Sequence, residues 1–455
     1  MWDNVVFPFF GQGKISRRHL IGRAIAVGLS LGAASTLLED CSGGYSSGTL
    51  ESSLNFANWA SAETATRADI DKALLAFENQ NNVQVNNIGM QFDEVLTQLT
   101  EMVRANITLD VMELSGNWPY ALAGMGALAD LGPFVSQNWR DDAFPGSFAA
   151  GTYRGTLYAV PFSITPHGFW YSKVLLASAG LDPTRPPRTI VELNEAMAVL
   201  RSKLPHNSYP IALDTSATDY ALIGFWPWIW TFGGNPMVDN GNGEVTINWA
   251  DEGTVAAFQW LQDAVRSRWT PPNMAIKAER ALMAEETIAF KLDGPYLTGI
   301  LASINPAFST SKQVNQTFAV TTTPLGPGVT HPVTCADIHN LGIASSSNNK
   351  ELAWKLINFL TTSRAVITTF LIPEGGMLPR RSYDTNPQLY GRYYADPISQ
   401  TFINDIIPTM RPPAFGPRYS TASVAIVTAL QEISNGAAVK PRLQSLTDEV
   451  KSIYL

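Results

Sequence analysis

The sequence predicts an α/β protein folded as two lobes, on three observations. At 455 residues the chain is too long for one typical hydrophobic core. Short β-prone runs alternate with amphipathic stretches of helical length, the pattern of βαβ units around a mostly parallel sheet. The stretch Thr156 to Leu176, TLYAVPFSITPHGFWYSKVLL, holds two apolar runs, Leu157 to Phe162 and Gly168 to Tyr171, parted by Ser163-Ile164-Thr165-Pro166-His167. A proline inside a strand removes a ladder donor and biases the residue before it to an extended shape, so one strand ends here and another begins. A crossing between lobes and a kinked edge strand both fit this stretch taken alone.

The elements follow in order. Residues 1–40 read as a signal peptide: Lys14, Arg17, Arg18 and Arg23 precede Ala24 to Leu38, an apolar run too short to span a membrane comfortably. Ser16-Arg17-Arg18-His19-Leu20-Ile21 resembles a twin-arginine export signal, with Leu20 and Gly22 in place of the usual Phe and Lys. Cys41 comes next, heading a Gly- and Ser-rich tether over 41–53. Its placement resembles that of the lipidated first residue of a bacterial lipoprotein, although Glu39 and Asp40 replace the small residues normally found before it. If Cys41 is lipidated or removed, Cys335 has no disulfide partner and reads as a buried small hydrophobe.

Leu54 to Asn58, Val83 to Val85 and Leu109 to Leu114 are expected strands. Between them lie helices from Ala68 to Glu78, with a capping-box-like Thr66 and Asp69, and from Phe92 to Arg104. Beyond Thr156 to Leu176, Thr189 and Glu192 open a helix through a capping box, and Tyr209 to Asp214 is a strand. Tyr220 to Phe232, YALIGFWPWIWTF, is an apolar helix that should be buried or line a pocket, ended by Gly233-Gly234-Asn235-Pro236. Glu244 to Asn248, the run TIAFKLDGPY, Phe318 to Thr323 and Leu341 to Ala344 are further strands. Thr254 to Trp269, Ala278 to Ala284, Glu351 to Leu360, Pro387 to Pro408, Ser423 to Ser434 and Arg442 to Tyr454 read as helical.

Composition narrows the partners. A net charge of −8 argues against nucleic acid, which needs clustered Lys and Arg. The 12 Trp, 14 Tyr and 21 Phe supply flat rings with partly polar edges. No His cluster of metal type, nucleophile elbow or phosphate loop is present, so neither metal nor cofactor is expected.

Five segments in order, LDVMELSGNWPYALAGMGALADL, GTLYAVPFSITPHGFWYSKVLLASAGLD, AERALMAEETIAFKLDGPY, FAVTTTPLGPG and LGIASSSNNKELAWKLINFL, resemble extracellular solute-binding proteins of the carbohydrate-uptake type. These are the receptors of ABC importers, similar to maltodextrin- and trehalose-binding proteins. The resemblance implies a periplasmic-binding-protein fold whose discontinuous lobes are joined by hinge crossings at about Ile164 to His167, Thr321 to Thr323 and Glu374 to Leu378. One lobe then combines residues 54–164 with 322–374, and the other 165–321 with 375–455. It also implies an exported monomer at the cell surface or in the periplasm, anchored to the membrane through Cys41 and passing a carbohydrate to a permease.

Sugars present hydroxyls at the rim and C–H bonds on the faces, so their sites combine aromatic platforms with carboxylates or amides. Trp59 lies just past the first strand, at the carboxyl end where open α/β sheets bind ligands. Glu113 takes the place of a family acid that binds sugar hydroxyls, with Asn117 and Trp118 in the loop that follows. A capping Asn and a packed Trp would look the same. Ser163 and Thr165 stand where relatives carry amides or acids. His167 flanks the crossing and reads as structural. Trp226, Trp228 and Trp230 point in different directions around one helix, at most two of them toward a cleft, with Trp226 the best match to the family helix. Asp293 and Tyr296 belong to a pocket motif in which Gly294 replaces the usual Trp or Asn. Gly376, next to Gly375 and Glu374, lets backbone approach a ligand closely, although an ordinary turn explains it equally well.

The leading expectation is thus a binding protein without chemistry of its own. A binder of a sugar- or glycerol-phosphate is the alternative, with Arg380, Arg381 and Arg411 as its only cations near a crossing. A glycosidase built on Glu113 and Asp293 is the enzymatic one.

Overall fold

A computed structural model describes residues 52–455, apart from 65, 241–243 and 413–415. The signal sequence, Cys41 and most of the tether lie outside the described residues. Nine strands build two sheets: β1 (Ser53–Asn58), β2 (Gln84–Gly89), β3 (Val111–Ser115), β4 (Ala159–Ile164), β5 (Gly168–Ser172), β6 (Tyr209–Ala212), β7 (Ile288–Asp293), β8 (Phe318–Thr321) and β9 (Ile338–Ile343). The first sheet has the order β2-β1-β3-β9-β4 and the second β8-β5-β7-β6. Each sheet centres one of two lobes. Among the described residues no single helix is long and apolar enough to cross a membrane.

The expectation of mostly parallel sheets needs correction. Strands β1, β2 and β3 pair in parallel through helical crossovers, as do β6 and β7. However, β9 runs antiparallel to both β3 and β4, and β5 antiparallel to both β7 and β8. The reversed strands are those adjoining the passages between lobes, where no helical crossover dictates direction. Strand β4 belongs to the first sheet and β5, three residues on, to the second. Across the passage Ile164 bridges Met377, and Thr165 donates its backbone N–H to the Asp337 carbonyl.

Period-two alternation decides which side each strand buries. Phe169 and Tyr171 of β5 enter the core of the second lobe, where Phe169 stacks on Phe290. Trp170 points the other way, into a cluster that also holds Phe56, Phe162 and Ile338 of the first sheet. Its indole N–H donates to the Asp293 carbonyl at 3.1 Å, fastening β5 to β7. Thr189 and Glu192 form the expected capping box. Thr66 does not: its hydroxyl donates to the Ala60 carbonyl instead of capping helix Arg67–Asn81. Cys335 is buried with a free thiol whose pKa burial pushes well up.

Arg364–Glu374 follows helix Lys350–Thr362 at a 49° bend and includes a π-helical turn over Ile367–Leu371. Pro387 to Pro408 is helical in short pieces, with Pro397 opening helix Pro397–Thr401 at the position where a missing N–H costs nothing.

Candidate functional site

Side chains from both lobes meet where the strands end beside the passages. Trp59 follows β1, Trp118 opens helix Trp118–Gly124 after β3, and Phe92 precedes helix Val95–Arg104. Their rings touch: Trp59 packs edge-on to Phe92 and Trp118 at 5.4 and 5.9 Å between centroids, and Phe92 reaches Tyr220 of the second lobe at 6.3 Å. The lobes are therefore in contact across the cleft. His339 of β9 completes this wall, edge-on to Trp59 at 4.9 Å.

Below the rings lie carboxyls. Glu113, only 1% exposed, receives a hydrogen bond from the Trp59 backbone N–H. Burial, then Glu374 and Glu63, hold its pKa well above the usual carboxyl range. Glu374 lies with Oε1 3.8 Å from His339 Nδ1, and burial followed by Glu63 and Asp337 pushes it up to about 8. Asp337, buried between Ser115 and Thr165, is pushed by burial to about 7. Burial lowers His339 and His167 to about 4 each, so both rings are neutral near pH 7.

The opposite wall is a hydrogen-bonded cluster. Arg280 donates from Nε and Nη2 to the two Asp293 oxygens, each at 2.9 Å, and from Nη2 to the Tyr220 hydroxyl at 3.1 Å. Tyr220 and Tyr296 share a short O–H···O bond, and both hydroxyls lie 3.3 Å from His167 Nε2. Lys291, fully buried on β7, pairs with Glu279 and stands 3.4 Å from Asp293. Burial raises the Asp293 pKa, but Arg280 and Lys291 outweigh it and hold the carboxyl below its ordinary value. A small cavity beneath is lined by His167, Asp214, Tyr220, Trp228 and Glu279.

The structure thus brings Trp59, Glu113, Trp118 and Tyr296 together. Asn117 sits half-buried at the N-cap position of its helix without a side-chain capping bond. Ser163 is buried in the passage with an unpartnered Oγ. Four expectations change. Trp226 is a core residue: it stacks on Trp230, contacts Trp249 and donates to the Tyr419 hydroxyl, while Trp228, on the other side of the helix, lines the cavity. Thr165 donates its hydroxyl to the Asp337 carbonyl at 2.7 Å, and Asp293 accepts from Arg280 with both oxygens, so both side chains are engaged within the protein. Gly376 makes its close approach to Ser163, whose Oγ would lie 1.8 Å from an added Cβ.

Arg280, Asp337 and His339 are absent from the sequence expectations, while Tyr220 enters them only as the start of an apolar helix and Glu374 only as the edge of a crossing. One readable signal was Lys291, a charge inside the apolar run IAFKLD, which demands buried partners. Arg280 gave none, since arginine on a short helix looks like any solvated face.

A family model for bacterial extracellular solute-binding proteins matches residues 72–381. The chain belongs to this family. Binding proteins of Brucella abortus and Brucella suis are each 21% identical over 292 residues, covering 63% of this chain. The chain spans 66% of the length of these curated relatives. Among solved structures, an ABC-transporter solute-binding protein from Thermotoga lettingae bound with α-D-tagatose superposes with a TM-score of 0.74 at 21% identity, covering 89% of this chain and 99% of that one. Maltose-bound T. maritima MalE3 gives 0.74 at 21%, with 88% and 100% covered. The GacH receptor of Streptomyces glaucescens, solved unliganded and with acarbose, gives 0.73 at 20%, with 89% and 98% covered. As a family member, this chain carries the two-lobed fold of these solute-binding proteins. Among the described residues no group of three or more His, Cys, Asp or Glu is placed to hold a metal ion.

Proposed function

We propose that this chain is the receptor of an ABC importer, taking a sugar or oligosaccharide into the interlobe cleft and delivering it to a membrane permease. One observation carries the reading: polar atoms buried in the cleft have no partner, namely Glu113 Oε1, Ser163 Oγ, His167 Nδ1, His339 Nδ1 and Glu374 Oε2, and they lie beside a wall of aromatic rings. Buried polar atoms are ordinarily hydrogen-bonded, so a ligand with many hydroxyls is the natural complement, and the rings suit its C–H faces. The tagatose, maltose and acarbose bound to structural neighbours support the same class.

The ligand side chains in this reading are Trp59, Glu113, Asn117, Trp118, Ser163, Tyr296, His339 and Glu374. Closure about the passages at 164–167, 321–323 and 374–378 shifts the population from open to closed, because only the closed form touches the ligand from both lobes. The lobes then comprise 54–164 with 322–374 and 165–321 with 375–455. The chain acts as a monomer without catalysis, exported by its N-terminal signal and anchored through Cys41. A phosphorylated ligand is disfavoured: Arg380 covers Trp139, Arg411 covers Trp230 and bonds Asn235, and Arg381 is exposed.

Thermal-shift screening of mono- and oligosaccharides tests the proposal. A ligand at a hundred times its Kd should add about 2.7 kcal/mol. Turnover of an oligosaccharide that Glu113→Gln abolishes would overturn it.

A further inference from the structure

The charges lining the cleft are unevenly matched. Glu63 at the rim and Glu113, Asp337 and Glu374 deeper in are acidic, and the neighbouring imidazoles of His339 and His167 carry no charge near neutral pH. The two buried cations of the opposite wall are already committed, Arg280 to Asp293 and Lys291 to Glu279 and Asp293. Among the described residues no cation acts on Glu113 or Glu374, and each presents one oxygen without a hydrogen-bond partner.

Two further observations point to a ligand at this place. Ser163, 2% exposed, leaves its hydroxyl unpartnered against Gly376, two residues from Glu374. His339, 8% exposed, leaves Nδ1 unpartnered beside Glu374 Oε1. Burial and neighbouring acids hold both carboxyls toward the protonated form, and a neutral hydroxyl leaves them there. An ammonium supplies three donors and a charge at one point, which restores both carboxyls to their ionised form.

We infer that the ligand is an amino sugar, whose protonated amine sits between the Glu113 and Glu374 carboxyls while its hydroxyls meet Ser163, His339 and the opposite wall. This rests on the sugar-receptor reading and narrows its ligand class.

The test uses the mature protein and matched pairs at pH 7 by calorimetry: glucosamine against glucose, galactosamine against galactose, mannosamine against mannose, and the fully deacetylated chitosan disaccharide against cellobiose. In at least one pair the amine should bind about tenfold more tightly than its parent. Glu374→Gln and Glu113→Gln should each shrink that ratio while leaving the parent's affinity closer to its starting value. Both substitutions preserve side-chain shape, and a melting curve for each confirms folding. Equal or tighter binding of the neutral member in every pair overturns the amine assignment and leaves the sugar reading standing. No binding by any member of either series overturns both. A ratio unchanged in both variants overturns the placement between the two glutamates.

Discussion

Arg280 grips Asp293 at two points, with both N···O distances at 2.9 Å, on side chains drawn from a helix and the end of β7. Asp293 is fully buried, and the pair fixes the guanidinium that in turn positions Tyr220. Breaking a buried pair leaves one charge uncompensated. Asp293→Asn should therefore cost about 3–5 kcal/mol, measured by chemical denaturation, whereas replacing both residues with well-packed apolar ones should cost less than either single change.

Proton linkage gives a second expectation. Asp337, Glu279 and Glu374 have folded-state pKa values raised to about 7, 7 and 8 from ordinary values of 3.8, 4.5 and 4.5. A carboxyl raised in this way contributes stability that is complete below the unfolded value and is lost as pH climbs through the folded one. The two buried histidines act oppositely, losing stability as pH falls from 6.5 toward about 4. Above pH 6.5 only the carboxyls operate. The melting temperature of the ligand-free protein should fall between pH 6.5 and 8, and Glu374→Gln should flatten that slope.

Gly376→Ala places a methyl 1.8 Å from Ser163 Oγ and 3.2 Å from Thr165 Cγ2. The overpacked passage should lose about 1–3 kcal/mol of stability. Gly376→Ala combined with Ser163→Ala should lose less than the sum of the two single changes, a double-mutant cycle that reports on their contact.

Trp226→Ala separates core from cleft. Removing a fully enclosed indole should cost about 3–5 kcal/mol in urea titration, while the folded fraction keeps its affinity for any sugar the protein binds. Trp118→Ala should do the reverse, because its half-buried ring stands in the cleft wall.

What could be read in the sequence followed from local chemistry. The strand pair flanking Pro166, the capping box at Thr189 and the apolar helix Asp219–Thr231 all announce themselves within a dozen residues. Trp59 was read from its place just past β1, whereas Glu113 and Trp118 were reached through the family resemblance, with Glu113 in the middle of β3 and Trp118 opening the helix after it. What stayed hidden depends on distant partners. Thr165 looked like a ligand donor because Asp337, which takes its hydroxyl, lies 172 residues away. Trp226 looked like a platform because Tyr419, which takes its indole N–H, is 193 residues away. Periodicity cannot tell two faces of an all-apolar helix apart when both are buried.

Strand β9 lies between β3 and β4, yet Ser115 and Asp337, neighbours across that seam, are 222 residues apart in sequence. During synthesis β1 to β4 thus leave the ribosome with a gap where β9 belongs, and the second sheet is completed by β8 before that gap is filled. The first lobe can mature only after its partner lobe has been made. Such long-range closure slows folding and leaves β3 and β4 with open edges in the meantime, a window in which a chaperone or an export factor would find its grip.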